Sequence, residues 1–324
     1  MMRRRWSEVK KDSMMVKGIW MIGLLVASVA TVGFYARWSR RAPRDAVGLI
    51  HQTQNLNSDT LRLFVLGDSG SGLPAQGRVA RAMEDYCKKS PPDALIFLGD
   101  NFYMQGVASV DDPLWQDRMV SMYSGPCLGE VPIYPVLGNH DYGLDPGAQI
   151  RMTNRWPRWR FPRRFYQITF GNIATVTFYD SHILDFCFDA TSCSGDFLLN
   201  AHRSAGVSWH IVAAHHPIRS RSRKSFGHRG GLKPWLLEPW VCDYADISLA
   251  GHSHHLEYQK APCGLHHFIS GGGGADINEV GPGPGFAESS HGFLVIEMTR
   301  SQAKGQFFND SEALLHDIDL GSPK

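Results

Sequence analysis

The six cysteines of this 324-residue chain, Cys87, Cys127, Cys187, Cys193, Cys242 and Cys263, include no Cys-x-x-Cys pair. Paired thiolates at that spacing build structural zinc sites, so that class is excluded. No internal repeat and no long low-complexity run occurs, so the chain is not a repeat array. A basic excess is missing where it would matter. Residues 1–45 hold ten Lys and Arg against three acids, and the remainder has 23 bases against 28 acids, a net of −5. A general nucleic-acid binder is basic over its folded part, so nucleic acid is not expected as a specific partner. The run Gly271–Gly274 has no following Gly-Lys-Ser/Thr and no evident helix, so it reads as a loop, not as a phosphate cradle.

Charge is also absent from Gly18 to Ala36, 19 residues with six bases before them and Arg37, Arg40, Arg41 and Arg44 after. About 20 apolar residues span a bilayer. The segment (about 18–36, within a basic region 1–45) is expected to be an uncleaved membrane anchor. A signal peptide cut after Ser28-Val29-Ala30 is the alternative. The flanking bases favour a cytoplasmic N-terminus, which puts the rest of the chain on the non-cytoplasmic side, anchored or secreted. Residues 46–60 are polar and read as a linker, and 61–320 as the main folded domain.

What the sequence does have is a series. The apolar run Leu61–Leu66 ends in Gly67-Asp68-Ser69-Gly70, and Ala94–Leu98 ends in Gly99-Asp100-Asn101-Phe102-Tyr103. Pro132–Leu137 ends in Gly138-Asn139-His140-Asp141, Trp209–Ala214 in His215-His216, and Ile247–Ala250 in Gly251-His252-Ser253-His254. Short apolar runs are buried strands, and open α/β sheets place ligands at strand C-terminal ends. One Gly-Asp is a turn; five strand ends each delivering Asp, Asn or His predict a metal site. Pro74–Lys89 and Asp112–Ser121 have helical patterns, and Phe165–Phe170 and Ile173–Tyr179 flank a hairpin turn at Gly171-Asn172. Phe293–Glu297, Gly305–Phe308 and Ala313–Leu320 read as closing strands.

This order of motifs resembles the calcineurin-like metallophosphoesterases over roughly residues 60–320, and Tyr103 points within them to the purple acid phosphatases. Val136 to Asp141, Trp159-Arg160-Phe161-Pro162 and Phe165-Tyr166 are similar to the small, tartrate-resistant type. The resemblance implies an α/β fold, a four-layer αββα sandwich of two mixed sheets flanked by helices. It implies acid phosphatase activity on phosphate monoesters at a binuclear Fe(III)–M(II) centre, with Zn, Fe or Mn as the divalent metal, through a metal-bound hydroxide. Asp100 would bridge; Asp68, Tyr103 and His254 would complete one metal, and Asn139, His215 and His252 the other. Phenolate is a hard donor with a free pKa of about 10, which a trivalent ion holds ionised in acid. His140 and His228 are the candidate proton donors, and Asn139, His140 and His216 the candidate phosphate contacts. Asp141 is expected to orient its neighbours.

The alternative on the same fold is a phosphodiesterase or a nucleotide or pyrophosphate hydrolase using two divalent metals; a third reading is an anchored binding protein with a vestigial site. Two departures from the mammalian type stand out. Ser253 occupies the Asp of Gly-His-x-His, and the stretch from Asp180 to His215 is short. Two arginine-rich stretches, Arg151 to Arg164 and Arg219 to Arg229, suggest that Arg221 and Arg223 attract charge-rich substrates such as nucleotides or polyphosphate. An even cysteine count in an exported chain suggests disulfides, with Cys187–Cys193 as the expected local bridge.

Overall fold

The computed structural model describes residues 50–56, 58–183, 205–224 and 233–324. In chain order these residues form β1 (Ile50–Gln54), β2 (Leu61–Leu66), α1 (Pro74–Lys89), β3 (Ala94–Phe97), β4 (Ile133–Pro135) and α2 (Pro146–Arg151). There follow β5 (Phe165–Phe170), β6 (Ala174–Tyr179), β7 (Trp209–Ala213), α3 (Lys233–Tyr244), β8 (Ile247–Ala250), β9 (Leu256–Lys260) and β10 (His266–Ser270). The chain closes with β11 (Phe286–Glu288), β12 (Gly292–Met298), β13 (Ala303–Asn309) and β14 (Leu314–Gly321). One sheet has the order β14-β13-β12-β2-β3-β4, the other β1-β5-β6-β7-β8-β10-β9-β11. Both are mixed. β2, β3 and β4 run parallel in the first, as do β6, β7, β8 and β10 in the second.

The two sheets lie face to face because their strands are apolar on the inner side. Phe268 of β10 meets Phe307 of β13 at 5.9 Å between ring centroids, and Tyr134 of β4 meets Phe170 of β5 at 5.8 Å. The hydroxyl of buried Tyr166 donates across to the Pro135 carbonyl at 2.7 Å. Burying an aromatic ring of this kind contributes about 1.5–3 kcal/mol. Helices cover the outer faces. In α1, Val79, Ala82 and Met83 recur at helical spacing and are buried, and Tyr86 packs on Phe64, Phe293 and Phe308 of the six-stranded sheet. In α3, Leu237, Val241 and Tyr244 pack on Phe165, Tyr179 and Val212 of the other sheet. Disulfides Cys87–Cys127 and Cys242–Cys263 pin these helices to neighbouring loops. The result is the αββα sandwich expected from the sequence.

Some expectations need correction. Ile50–Gln54, inside the predicted linker, is an edge strand parallel to β5. Its side chains are largely exposed, so no apolar pattern marked it; backbone pairing and a 2.7 Å bond from His51 to Thr169 hold it. The helix expected from Asp112 starts only at Trp115 and runs to Val120. Asp112 spends its two carboxylate oxygens on the N–H groups of Ala108 and Leu114, closing a turn first. The 18–36 segment, the Cys187–Cys193 pair and His228 lie outside the described residues; among those described, no helix is long and apolar enough to cross a membrane.

Candidate metal centre

The parallel strands β2, β3 and β4 of one sheet and β7 and β8 of the other end at one edge, and their last residues interlock. The N–H of Gly67 donates to the Ser270 carbonyl at 2.7 Å, and His215 Nδ1 to the Leu98 carbonyl at 2.7 Å, each joining one sheet to the other. The turns off the strands are tight. Asp68, Asp100 and His252 have φ of 58°, 50° and 64°, the left-handed region that non-glycine residues seldom adopt. Such conformations persist where the surroundings over-determine them, typically at functional sites. Gly138 allows a close approach: a Cβ there would lie 2.2 Å from Asp100 Oδ1.

These turns aim seven expected donors at one region. Tyr103 donates its hydroxyl to Asp68 Oδ1 at 3.1 Å and lies 3.1 Å from His254 Nε2. His254 Nε2 is 3.4 Å from Asp68 Oδ1, and its Nδ1 donates to the Asp276 carbonyl at 2.7 Å. Asp100 Oδ2 lies 3.5 Å from His215 Nε2, which is 3.1 Å from Asn139 Oδ1 and 3.2 Å from His252 Nδ1. Two clusters result, Asp68–Asp100–His254 and His215–His216–His252, each with ligand atoms within 4.8 Å of one another. Asp68 and His215 are fully buried and Asp100 nearly so.

The electrostatics ask for a cation. Burial, then the charges of Asp68 and Asp141, push the Asp100 carboxyl well above the carboxylate range. Burial, then Asp68 and Asp100, push the Tyr103 phenol well above its usual value. Burial pulls the His254 imidazole down, but the Asp68 charge together with the hydrogen bonds to Asp68 and to the Asp276 carbonyl outweighs it, and the net direction is up. Hard oxygen donors that repel one another beside imidazoles fit a pair of metal ions.

Around the donors, Asp141 acts as expected. It accepts from the N–H groups of Gly138, Asn101 and Phe102 at 2.8, 3.1 and 3.0 Å, and from Gln149 Nε2 at 2.8 Å. His140 is half-buried, donates through Nδ1 to the Met104 carbonyl at 2.8 Å, and packs 4.5 Å from the Tyr103 ring. His216 sits 4.3 Å from the His252 ring, with Nδ1 2.9 Å from Ser181 Oγ. Ser253 receives a hydrogen bond from Ser220 at 2.9 Å.

Arg221, a candidate substrate contact, has its guanidinium bonded within the protein. Its Nε and Nη2 donate to the Gly281 carbonyl at 2.9 and 2.8 Å, and Nη1 to the Pro284 and Gly285 carbonyls at 3.3 and 3.4 Å. The guanidinium is engaged by the loop at 281–285. Arg223 lies 3.9 Å from Glu279 and is exposed. In the first arginine stretch, Arg151 pairs with Asp145, Arg155 with Asp111, and buried Arg164 with Asp180. The sequence reading missed Asp180 and Ser181. Asp180 accepts from Tyr142 and Arg164, fixing the loop after His140, and Ser181 holds His216. The signal was present: Ala174–Tyr179 is one more apolar run ending in an Asp.

A two-sheet sandwich whose parallel strands from both sheets deliver carboxylates, an amide and imidazoles to one edge defines a metal-dependent phosphoesterase. A calcineurin-like phosphoesterase family model matches residues 61–256. Purple acid phosphatase 3 of Arabidopsis thaliana is 31% identical over 286 residues, covering 79% of this chain and 76% of that one. Tartrate-resistant acid phosphatase type 5 of Oryctolagus cuniculus is 30% identical, over 66% of this chain and 73% of that one. Among solved structures, GAP50, the anchor in the inner membrane complex of Plasmodium, has a TM-score of 0.70 at 22% identity, over 82% of this chain and 90% of that one. This last likeness is one of fold. The chain belongs to the calcineurin-like phosphoesterases and, within them, to the purple acid phosphatases.

Proposed function

We propose that this chain is an acid phosphatase hydrolysing phosphate monoesters at a binuclear Fe(III)–M(II) centre, M being Zn, Fe or Mn. In this reading Asp68, Asp100, Tyr103 and His254 hold the trivalent ion. Asp100, Asn139, His215 and His252 hold the divalent one. The observation that carries it is the Tyr103 hydroxyl, 3.1 Å from both Asp68 Oδ1 and His254 Nε2. A phenol among carboxylates is costly unless a strongly charged cation shares it, and a trivalent one holds it ionised in acid. The full set of seven donors separates this reading from a binding protein on the same fold.

When bound, the ions supply the charge that draws a phosphate dianion and acidifies the attacking water. The chain's own groups do the rest. Asn139 and His140 contact the phosphoryl oxygens, and His216, held by Ser181, flanks them. With Nδ1–H donated to the Met104 carbonyl, His140 keeps Nε2 to exchange a proton with the leaving oxygen as the ester P–O bond breaks. His228 is the second candidate for that proton. The disulfides support an oxidising, non-cytoplasmic compartment, with residues 18–36 as the anchor or signal segment.

The test is metal analysis with a visible spectrum. The expected result is one iron and one divalent metal per chain, with an absorption band that Tyr103→Phe abolishes while the protein stays folded. Two divalent metals without a band, together with faster turnover of diesters than of monoesters, would select the phosphodiesterase alternative.

A further inference from the structure

Four large apolar side chains among the described residues are strongly exposed: Leu73, Met104, Leu144 and Leu314. Leu314 opens β14, the outermost strand of the six-stranded sheet. The other three lie within five residues of Asp68, Asp100 and Asn139. Water-exposed apolar groups gathered around a polar site mark a binding surface. Met104 and Leu144 are the most exposed of the three, at 72% and 52%.

Their two loops form a seam. A Cβ on Gly143 would lie 2.7 Å from Gln105 Cα, and one on Gly106 2.6 Å from the Asp141 carbonyl oxygen. His140 is anchored on this seam by the Met104 carbonyl at 2.8 Å. The cations nearby in sequence are already paired: Arg151 lies 2.5 Å from Asp145, beside Leu144, and Arg155 lies 2.7 Å from Asp111. The rim next to His140 therefore offers apolar surface and neutralised charge, which suits an uncharged alcohol better than a polyanion.

We propose that Met104 and Leu144 form an apolar lip that receives the alcohol portion of the substrate, selecting phosphate monoesters of alkyl-chain alcohols over those of charged ones. The proposal rests on the phosphatase reading above and names the substrate class for that site. A phosphoryl group held beside Asn139 and His140 leaves its ester oxygen and alkyl chain to lie along the seam. Each methylene wholly removed from water favours binding about fourfold; on a lip open to solvent, about twofold is expected.

The experiment measures kcat/KM of the full-length protein on ethyl, butyl and hexyl phosphate, whose leaving alcohols are nearly equal in acidity. The hexyl-to-ethyl ratio should be on the order of tenfold, from about twofold per methylene. It should fall close to one in the double variant Met104→Ser, Leu144→Ser, and be retained in Met104→Leu and in the remote control Leu314→Ser. Because the ratio is internal to each protein, lower overall activity of a variant does not disturb it. A flat series in the unaltered protein overturns the lip. A slope unchanged in the double variant overturns it too and leaves the two side chains as a surface for another macromolecule. Absence of hydrolysis of every ester, ethyl phosphate included, overturns the phosphatase reading and the lip with it.

Discussion

The carboxylate of Asp141 accepts the backbone N–H of Phe102 at 3.0 Å, and so ties the loop after Asn139 to the loop after Asp100. The same carboxylate takes the N–H groups of Gly138 and Asn101. Two strands of the sheet thus end on one side chain, and the spacing between Asp100 and Asn139 follows from it. Asp141 itself is fully buried, and burial pushes its carboxyl up to about 6 despite four hydrogen bonds. Evidently its position is needed more than its ionisation is favoured.

Replacing Asp141 with Asn keeps the shape but turns an amide N–H₂ toward backbone N–H donors. Leaving two buried donors without an acceptor costs about 2–6 kcal/mol, at 1–3 kcal/mol each. We expect Asp141→Asn to lower the unfolding free energy by that amount in urea titrations and to reduce the content of both metals together. Loss of neither would leave Asp141 without the joining role.

Stability should also fall in acid for a reason remote from the metals. His267 on β10 is fully buried, 2.9 Å from the Arg219 carbonyl through Nε2 and 3.3 Å from Ser248 Oγ through Nδ1. Burial pushes its imidazole down to about 4. The folded pKa is below the unfolded value of about 6.5, so the unfolded chain binds the extra proton between these limits. The contribution is whole above pH 6.5 and is lost as pH falls through 4. We expect His267→Gln, which keeps a donor but cannot titrate, to lose about 3 kcal/mol less stability than the unaltered protein between pH 7 and pH 4. Equal losses in both proteins would show that His267 is accommodated as the cation.

The site was legible in the sequence because its signal is local. An apolar run and a donor follow one another within a few residues five times, four of them with a glycine between, and each strand ends within two residues of where that pattern put it. β1 carried no such mark, since an edge strand with exposed side chains is held by backbone bonds that any sequence makes. Asp180 was hidden because the strand before it also reads as one arm of a hairpin. The arginine-rich stretches are harder to read for a related reason. Charge density along the chain says nothing of partners such as Asp145, Asp111 and Glu238, which fold in from elsewhere or are separated in sequence.

Arg221 brings that lesson to a test. Its guanidinium clasps the Gly281 and Gly285 carbonyls, and its own backbone N–H donates to Glu257 Oε2 at 2.9 Å while its carbonyl accepts from the Gly281 N–H at 2.7 Å. The clasped loop is Gly-Pro-Gly-Pro-Gly, with no hydrogen-bonding side chain of its own to tie it down, and it follows Asp276, whose carbonyl orients His254. Arg221 is therefore a fastening of the loop that supports a donor. Hydrogen bonds from a charged group contribute about 1.5–3 kcal/mol, and exposure of part of this side chain places Arg221→Ala at the lower end. We expect that substitution to lower stability by about 1–2 kcal/mol and to reduce kcat/KM for ATP and for p-nitrophenyl phosphate by the same factor, at low and high salt alike. Arg221→Lys should not restore either, because an ammonium cannot span two carbonyls as the planar fork does. A loss confined to ATP and shrinking as salt screens exposed charge would instead mean that the guanidinium leaves the loop to meet the substrate's phosphates.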